Sequence, residues 1–533
     1  AVYTAEDMGA FWKPGPLLVP APHSIKDLIF NMRTQIPMAR AGDKVRHVGE
    51  PMAVVIAESR YIAEDARADI VVDLEPLEAV VDLERALDPD APLVHDDLDS
   101  NLASYVLQEK GNYEQARAQA DVVVKRRIVV DRGVAAALEN RGYVASWNAK
   151  EQELTMWATT QAPIALRNMM AATLGISENQ MRVIAPFVGG GFGPKIMLCQ
   201  PEEQLLCWAT MRLNRPIKYI EDRQENFVAT TMERNQVHDV ELALTRDGKI
   251  LGMKDVFIHD TGAYNPYALT VPLNTQTHTM GPYEIPDFRT ELKVVFTNRM
   301  IVTPIRGAGR PQGVFVMERM MDVTAQELGL DPVEIRRKNL IPADAFPKSQ
   351  SIIGQDFIEL IYDSGNYPAT LEKACQMIGY DKFIKEERPR LRAGGKHVGI
   401  GVVCFTEGTA VGPYEGARVT VESSGKVILV TGVGTQGQGH FTSFAQIVAD
   451  QLGVDVRDVR VVTGDTAQFH WGTGTFASRG ATVAGNAVNA AAAAVRAKIL
   501  KHASKALGAP EEELEISNGQ VRVADIPEKS ISL

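Results

Sequence analysis

The feature that most restricts what this chain can fold into is a pattern that occurs twice. YVASWNAKEQELTMWATTQ at 143–161 reads as strand, turn and strand; a helical run then leads to Leu174-Gly175, and a strand at 181–185 delivers the chain to GGGFG at 189–193. ARVTVESSGKVILVTGVGTQ at 417–436 repeats the order, with a helical run to Leu452-Gly453 and a strand at 459–463 that ends in Gly464-Asp465-Thr466. Leu174, Gly175, Arg182 and Val183 recur as Leu452, Gly453, Arg460 and Val461 at one constant offset, while Thr160-Gln161 and Thr435-Gln436 stand at a slightly shorter one. A fixed-period pattern of this kind decides the fold class before any motif does. Strand–helix–strand patterns are common enough that coincidence is the alternative. Two similar halves, each closing a strand with a glycine-rich loop, are expected to face each other across a crevice and hold a ligand from both sides.

The repeat sits in a chain of 533 residues, long enough for several domains. The expected class is α+β: a small α/β unit at 1–110, then two repeated α+β units at 120–375 and 395–533. Within the first, 51–58 and 70–74 read as strands on either side of a helical stretch at 62–68. Hydrophobic residues make up 45% and charged residues 23%, an ordinary globular balance. A formal charge of -11 opposes binding to a phosphate backbone, so no nucleic-acid partner is expected. Cys199, Cys207, Cys375 and Cys404 are too dispersed for a zinc or iron–sulfur site and are expected to be buried, reduced thiols. No apolar run is long enough for a membrane span and no export signal opens the chain, so a cytoplasmic location is expected. Residue 1 is Ala, and AVYTAEDM reads like the interior of a domain; the expectation is a fragment or a processed product.

Glycine loops carry the candidate chemistry. Without a Cβ, backbone N–H groups can approach an anion closely and take the positive φ values that turn them inward. Four such stretches occur, at 189–193, 307–309, 432–439 and 472–474; any one alone is a tight turn as readily as a binding loop. The first fails the P-loop pattern, because Pro194 stands at the second glycine and Ile196 at the metal-binding hydroxyl; Lys195 either adds charge near the ligand or is solvated. GVGTQG at 432–437 fits G-x-G-x-x-G after a strand and before a helix, which makes a nicotinamide site using this loop one alternative. Against it, Asp465 lies beyond the usual interval of about 20 residues, and the preceding strand reads as a hairpin arm.

Taken together, GGGFGPK (189–195), RGAGRPQ (306–312) and TQGQGH (435–440) resemble, in this order, the molybdopterin-binding large subunit of the xanthine dehydrogenase and aldehyde oxidase family of molybdenum hydroxylases. HVGEPMAVVIAE (47–58), EDR (221–223), TGAY (261–264), MERMMD (317–322), LGLDPVEIRRKN (328–339), GPYEGA (412–417), GDT (464–466) and GTGTFASR (472–479) extend the likeness along nearly the whole chain. It implies a hammerhead-like first domain and two molybdopterin-binding domains with the cofactor between them, the second incomplete at its C-terminus. The implied cofactor is molybdopterin cytosine dinucleotide, whose dithiolene holds the molybdenum so that no side chain ligates the metal. Phe192, Arg306 and Ala308 would lie at the reacting centre. Gly190, Gly191, Gly193 and Gly307 would hold the cofactor, as would Gln436, Gly437, Gln438, Gly439 and His440. Thr473, Thr475 and Ser478 would add hydroxyl donors.

Each assignment has a plain structural alternative: a buried salt bridge for Arg306, a core aromatic for Phe192, a polar loop residue for His440. Glu139 in LENRG (138–142) matches a segment near the cofactor, with a strand-edge carboxylate as the alternative; Glu407 and Tyr414 are candidates for the substrate funnel. The departures narrow the chemistry. Purine-oxidising relatives carry a glutamate where this chain has Ile196, and carbon monoxide oxidisers carry a cysteine within the loop that reads RGAGR here. The family's general-base glutamate, in a GVGE-type segment, is missing: GVG at 432–434 is followed by Thr435. A further chain or segment is therefore expected to supply it. Implied partners are an iron–sulfur subunit with 2Fe-2S clusters, an FAD subunit and a small-molecule substrate, either an N-heteroaromatic ring or an aldehyde hydroxylated with oxygen from water. A non-catalytic assembly protein is the remaining alternative.

Overall fold

The computed structural model describes residues 1–185, 187–196 and 199–533. In the first hundred residues regular structure is sparse. Ser59 caps the helix Arg60–Ala68 through the Ile62 N–H, and Val2–Tyr3 pairs with Val54–Val55. Of the strand expected at 51–58 only those two valines are realised, and 70–74 forms none. A strand exists only where a second ladder satisfies its backbone, and Val71, at 94% exposure, has nothing packed against it.

Leu102–Lys110, placed at the end of the small first unit by its sequence position, is instead the second strand of a six-stranded sheet. The sheet runs Ile29–Phe30, Leu102–Lys110, Asp287–Phe296, Ile250–Gly262, Gln236–Leu244, Val122–Val130. Its one parallel pair is Ile250–Gly262 with Asp287–Phe296, and the crossover between them carries the helix Thr270–His278. Val240, Leu242 and Leu244, alternate residues of one strand, pack with Val316, Met317 and Met320 of the helix Arg310–Leu328.

The expected duplication is present in three dimensions. In the first copy Gly142–Asn148 and Glu153–Ala158 form a hairpin. The helix Pro163–Leu174 stops at Gly175 (φ 68°), and Met181–Ile184 returns parallel to the hairpin's second arm. In the second copy Ala417–Val421 and Val427–Thr431 form the hairpin, His440–Leu452 stops at Gly453 (φ 58°), and Val459–Val462 returns parallel. Glycine ends both helices because the left-handed residue that terminates a helix has no steric cost without a Cβ. Leu174 and Leu452, the matched residues before them, are both buried.

The copies are joined where their returning strands end. Ala185 N–H donates to the Gly464 carbonyl (2.7 Å), Thr466 N–H donates to Val183 (3.0 Å), and Arg182 forks onto both carboxylate oxygens of Asp465 (3.0 and 2.7 Å). A Cβ on Gly464 would collide with the Ala185 carbonyl, so the close approach requires glycine here. Among the described residues no helix is long and apolar enough to cross a membrane.

Candidate functional site

Because the two returning strands meet at their ends, the loops that follow them emerge side by side, and the four glycine stretches are stitched to one another through main-chain groups. Val188 N–H donates to the Thr435 carbonyl at 3.2 Å, and Arg306 N–H to the Phe192 carbonyl at 2.9 Å. Gln161 ties in the rest. Its side-chain oxygen accepts the Gly193 N–H (2.9 Å), its side-chain nitrogen donates to the Thr475 carbonyl (3.0 Å), and its own carbonyl accepts the Thr475 N–H (2.9 Å). The Thr475 hydroxyl donates to Gly434 (2.6 Å), closing the ring of loops. Gln161 was not among the sequence candidates. The repeat held the signal, since it aligns Thr160-Gln161 with Thr435-Gln436, and Gln436 was a candidate.

The backbone at these loops takes conformations that ordinary residues avoid. Phe192 (φ 59°), Ala308 (φ 49°) and Ser478 (φ 52°) are non-glycine residues with positive φ, a strain that persists only where the surroundings impose it. Gly193 (φ 118°) passes so close to the next loop that a Cβ would stand 2.8 Å from Ile305 Cα and closer still to the Pro304 carbonyl. At Gly437 (φ 102°) and Gly439 (φ 81°) a Cβ would meet nothing within 4 Å. Glycines at the first kind of position fix how the loops pack; those at the second leave backbone open. The amides of Gly191, Phe192, Gly437, Gln438 and Gly439 donate to no acceptor among the described residues, and the last three lead into the N-terminus of the helix His440–Leu452. Unspent donors at a helix N-terminus favour an anion.

The individual candidates have distinct environments. The Arg306 side chain is exposed and makes no ion pair among the described residues, so it is not a buried salt-bridge partner. Phe192 is 45% exposed and is not a core aromatic. His440 is buried, with its ring stacked on Phe444 (4.8 Å, 7°) and Nδ1 3.3 Å from Thr435 Oγ1; burial pushes its pKa down. The Thr473 hydroxyl donates to the Tyr414 carbonyl (3.1 Å), so it and Thr475 have already committed their hydrogens, while Ser478 is exposed. The Gln436 and Gln438 side chains bond each other at 2.6 Å and leave the neighbouring amides uncovered.

Two further pairs hold the loops from behind. Lys195 is buried rather than solvated and donates to the Glu139 carbonyl (2.8 Å) and carboxylate (3.0 Å); that carboxylate also accepts the Gly189 N–H (2.6 Å). Burial lowers the Lys195 pKa, opposed by Glu139. Glu415 and Arg479 form an ion pair with both side chains at 0% exposure, Glu415 accepting the Thr473 and Gly474 amides (2.9 and 2.8 Å). Both residues lie in stretches already conspicuous in the sequence, GPYEGA and GTGTFASR, but nothing local says that they meet. Arg310 lies in the RGAGRPQ stretch but was not itself a site candidate. Its guanidinium is buried, donates to the Gly307 carbonyl (3.3 Å) and has Glu407 as its carboxylate neighbour at 3.9 Å; its Nε has no partner among the described residues. Tyr414 lies half-exposed against Trp471.

The nicotinamide alternative does not survive this geometry. Asp465, the acid it requires for a ribose, is spent on Arg182, and a Cβ on Gly432 would collide with Ile164 of the first repeat, so the front of that loop is packed protein.

Beneath the first loop, the helix Pro201–Leu213 opens with Glu203 accepting the Gln200 N–H (2.9 Å) while buried beside Arg141. Burial, opposed by the Gln200 bond, pushes the Glu203 carboxyl up to about 8. The folded value lies above the unfolded one of about 4.3, so the stabilisation is complete below that unfolded value and is lost as pH rises towards 8. Against a Glu203→Gln variant, wild-type stability in urea is expected to decline across that window; parallel pH curves for the two proteins would refute it.

Residues 94–340 match a family model described as molybdopterin cofactor-binding domain, and residues 373–533 match a second with the same description. The chain is 31% identical over 509 residues to the nicotine 6-hydroxylase large subunit of Paenarthrobacter nicotinovorans, covering 92% of this chain and 61% of that protein. It is 34% identical over 509 residues to the carbon monoxide dehydrogenase large chain of Hydrogenophaga pseudoflava, covering 89% and 62%. Quinoline 2-oxidoreductase from Pseudomonas putida 86 superposes with a TM-score of 0.90 at 34% identity, over 100% of this chain and 67% of the solved one. The chain thus spans about three fifths of the length of the curated relatives.

Proposed function

The chain belongs to the family of molybdenum hydroxylase large subunits, and on that premise we propose that it is the catalytic subunit of a multi-subunit oxidoreductase that hydroxylates an N-heteroaromatic ring with oxygen from water. The observation that carries the proposal is the joining of four distant glycine loops, with Gln161 tying the first to the 472–475 stretch and Arg306 tying the 307–309 loop to Phe192, while amide donors are left unspent. A pyrophosphate-bearing pterin fits that set. It needs close backbone approach, which Gly437 and Gly439 allow, and dipoles that neutralise it without fixed charge.

The cytosine dinucleotide form of molybdopterin is the proposed cofactor. Gly437, Gln438 and Gly439 would hold its pyrophosphate with Gln436 beside them, and Ser478 would donate from the opposite side, on the loop that Thr473 and Thr475 hold in place through their bonds to Tyr414 and Gly434. Gly190, Gly191, Phe192 and Gly193 would line the pterin end, and Arg306, Gly307 and Ala308 would close it; His440 would act from behind, by packing. When bound, the group supplies the two-electron oxidation, with its metal held by the pterin dithiolene. The chain's own work is orientation. The bond from Arg306 N–H to Phe192 fixes one loop on the other, and Arg310 donates to the Gly307 carbonyl while the Glu407 carboxylate faces its Nε at 3.9 Å. The proton-accepting glutamate is assigned to a further chain or segment, and electron transfer to an iron–sulfur subunit and an FAD subunit.

An N-heteroaromatic substrate is favoured because two of the proteins most like this one are named for nicotine and quinoline. The 306–310 loop contains no cysteine, and Ile196 stands where purine oxidisers carry glutamate. An aldehyde is the other class to be assayed. The complex purified with its co-expressed chains is expected to contain stoichiometric molybdenum by elemental analysis, to release a cytosine nucleotide in acid, and to transfer labelled oxygen from water into a quinoline-type ring. Absence of both metal and nucleotide from the assembled complex would overturn the reading.

A further inference from the structure

We propose that Asn274 and Thr275 are positioning residues that set the 306–309 turn, an inference that rests on reading this turn as part of the cofactor site. They lie on the helix Thr270–His278, whose consecutive side chains Asn274, Thr275, Gln276, Thr277 and His278 are all buried. A buried polar helix is affordable only when each group finds a partner, and here two of the partners are consecutive carbonyls of the turn. Asn274 Nδ2 donates to the Ala308 carbonyl at 2.7 Å, and Thr275 Oγ1 to the Gly309 carbonyl at 3.0 Å, with Val271 O more distant at 3.3 Å.

Contact between helix and turn is tight. A Cβ on Gly309 would stand 2.9 Å from the Val271 carbonyl carbon and 3.0 Å from Asn274 Cβ. Peptide planarity then transmits the two bonds, because an amide N–H points opposite to the carbonyl of the same plane. Holding Ala308 C=O against the helix turns the Gly309 N–H away from it. Holding Gly309 C=O aims the Arg310 N–H at the Gly307 carbonyl, which it reaches at 3.2 Å. This accounts for Ala308 keeping a positive φ without being glycine.

The two residues are themselves held. The Asn274 amide also reaches Gln355 Oε1 (2.7 Å), and Thr275 Oγ1 accepts from Gln236 Nε2 (3.0 Å). Gln236 continues to His238 (3.1 Å), and His238 to both carboxylate oxygens of Asp255 (3.0 Å). Gln236, His238 and Asp255 are at 0% exposure, so the turn is braced against the interior of the six-stranded sheet.

The test compares Thr275→Val, which keeps shape and removes the hydroxyl, with Thr275→Ser, which restores it, in the co-purified complex. In the valine variant, amide exchange at Ala308 and Arg310 is expected to quicken about five- to tenfold, the equivalent of one lost hydrogen bond, while amides elsewhere in the domain keep their rates. Turnover is expected to fall by a similar factor with KM within about twofold and molybdenum content unchanged, and serine is expected to rescue both readouts. Asn274→Ala adds a second arm; if it does not fold, the Thr275 pair still decides. Unchanged exchange at Ala308 and Arg310, exchange quickened throughout the domain, or failure of serine to rescue would each overturn the proposal. A wild-type complex without molybdenum would remove the proposed function alone, since exchange reads the turn independently of turnover.

Discussion

Replacing Arg479 by methionine is expected to lower the stability of the second cofactor domain by roughly 3–5 kcal/mol, because it leaves the Glu415 carboxylate buried without a countercharge. Arg479 does more than neutralise that charge. It donates to the carbonyls of Val411 (2.9 Å), Tyr414 (2.9 Å) and Gly474 (2.7 Å), so its loss strands the Val411 and Gly474 acceptors and leaves Tyr414 only its bond from Thr473, while Glu415 still holds the Thr473 and Gly474 amides. The loop carrying Thr473, Thr475 and Ser478 should therefore loosen with the domain, and cofactor retention should fall in parallel. Urea denaturation gives the stability, and nucleotide release from the purified protein gives the retention. In the double variant Arg479→Met with Glu415→Gln the stranded charge is gone, so the combined loss is expected to fall short of the separate losses added together, by about 1–3 kcal/mol. A single Arg479→Met variant within about 1 kcal/mol of wild type would show that the pair is not the clamp described.

The second large effect is expected at Gly193. Alanine there must adopt φ 118° and place its methyl 2.8 Å from Ile305 Cα, against the loop that delivers Arg306. Backbone strain of about 1–3 kcal/mol and overpacking of about 1–3 kcal/mol act together, and either the 190–193 loop or the 304–306 segment must move. Gly437→Ala is the informative partner, since its methyl meets nothing within 4 Å and only the φ penalty of about 1–2 kcal/mol applies. Gly193→Ala should lower both stability and cofactor content, whereas Gly437→Ala should lower cofactor content with a much smaller effect on unfolding. Equal unfolding penalties for the two would mean that close packing between loops is not what requires glycine at 193.

Several elements of this architecture were legible residue by residue. The apolar strand run VILV at 427–430, the glycines after Leu174 and Leu452, and the matched strand order were enough to expose the duplication, because hairpin, helix and helix stop are set by neighbours along the chain. The glycine loops were legible for the same reason: positive φ is a local demand. The likeness to molybdenum hydroxylases then supplied a cofactor that composition alone does not reveal.

Other features depended on which segments meet in space. The stretch 70–74 has the residues of a strand and forms none, because a strand requires a partner ladder that its own residues cannot report. TVPLNTQTH at 270–278 carries five consecutive polar residues and would pass for an exposed helix; it is buried because the 306–309 turn and the sheet interior present acceptors and donors to it. Gln161 holds loops from both repeats, and the Glu415–Arg479 and Arg310–Glu407 pairs join residues far apart in number. What the sequence determined by itself was the local backbone, the repeat and the supply of glycine-rich loops. Which donors were spent on protein and which were left without a protein acceptor among the described residues was decided only by the tertiary structure, since a hydrogen bond depends on a distance of about 3 Å that chain order does not specify.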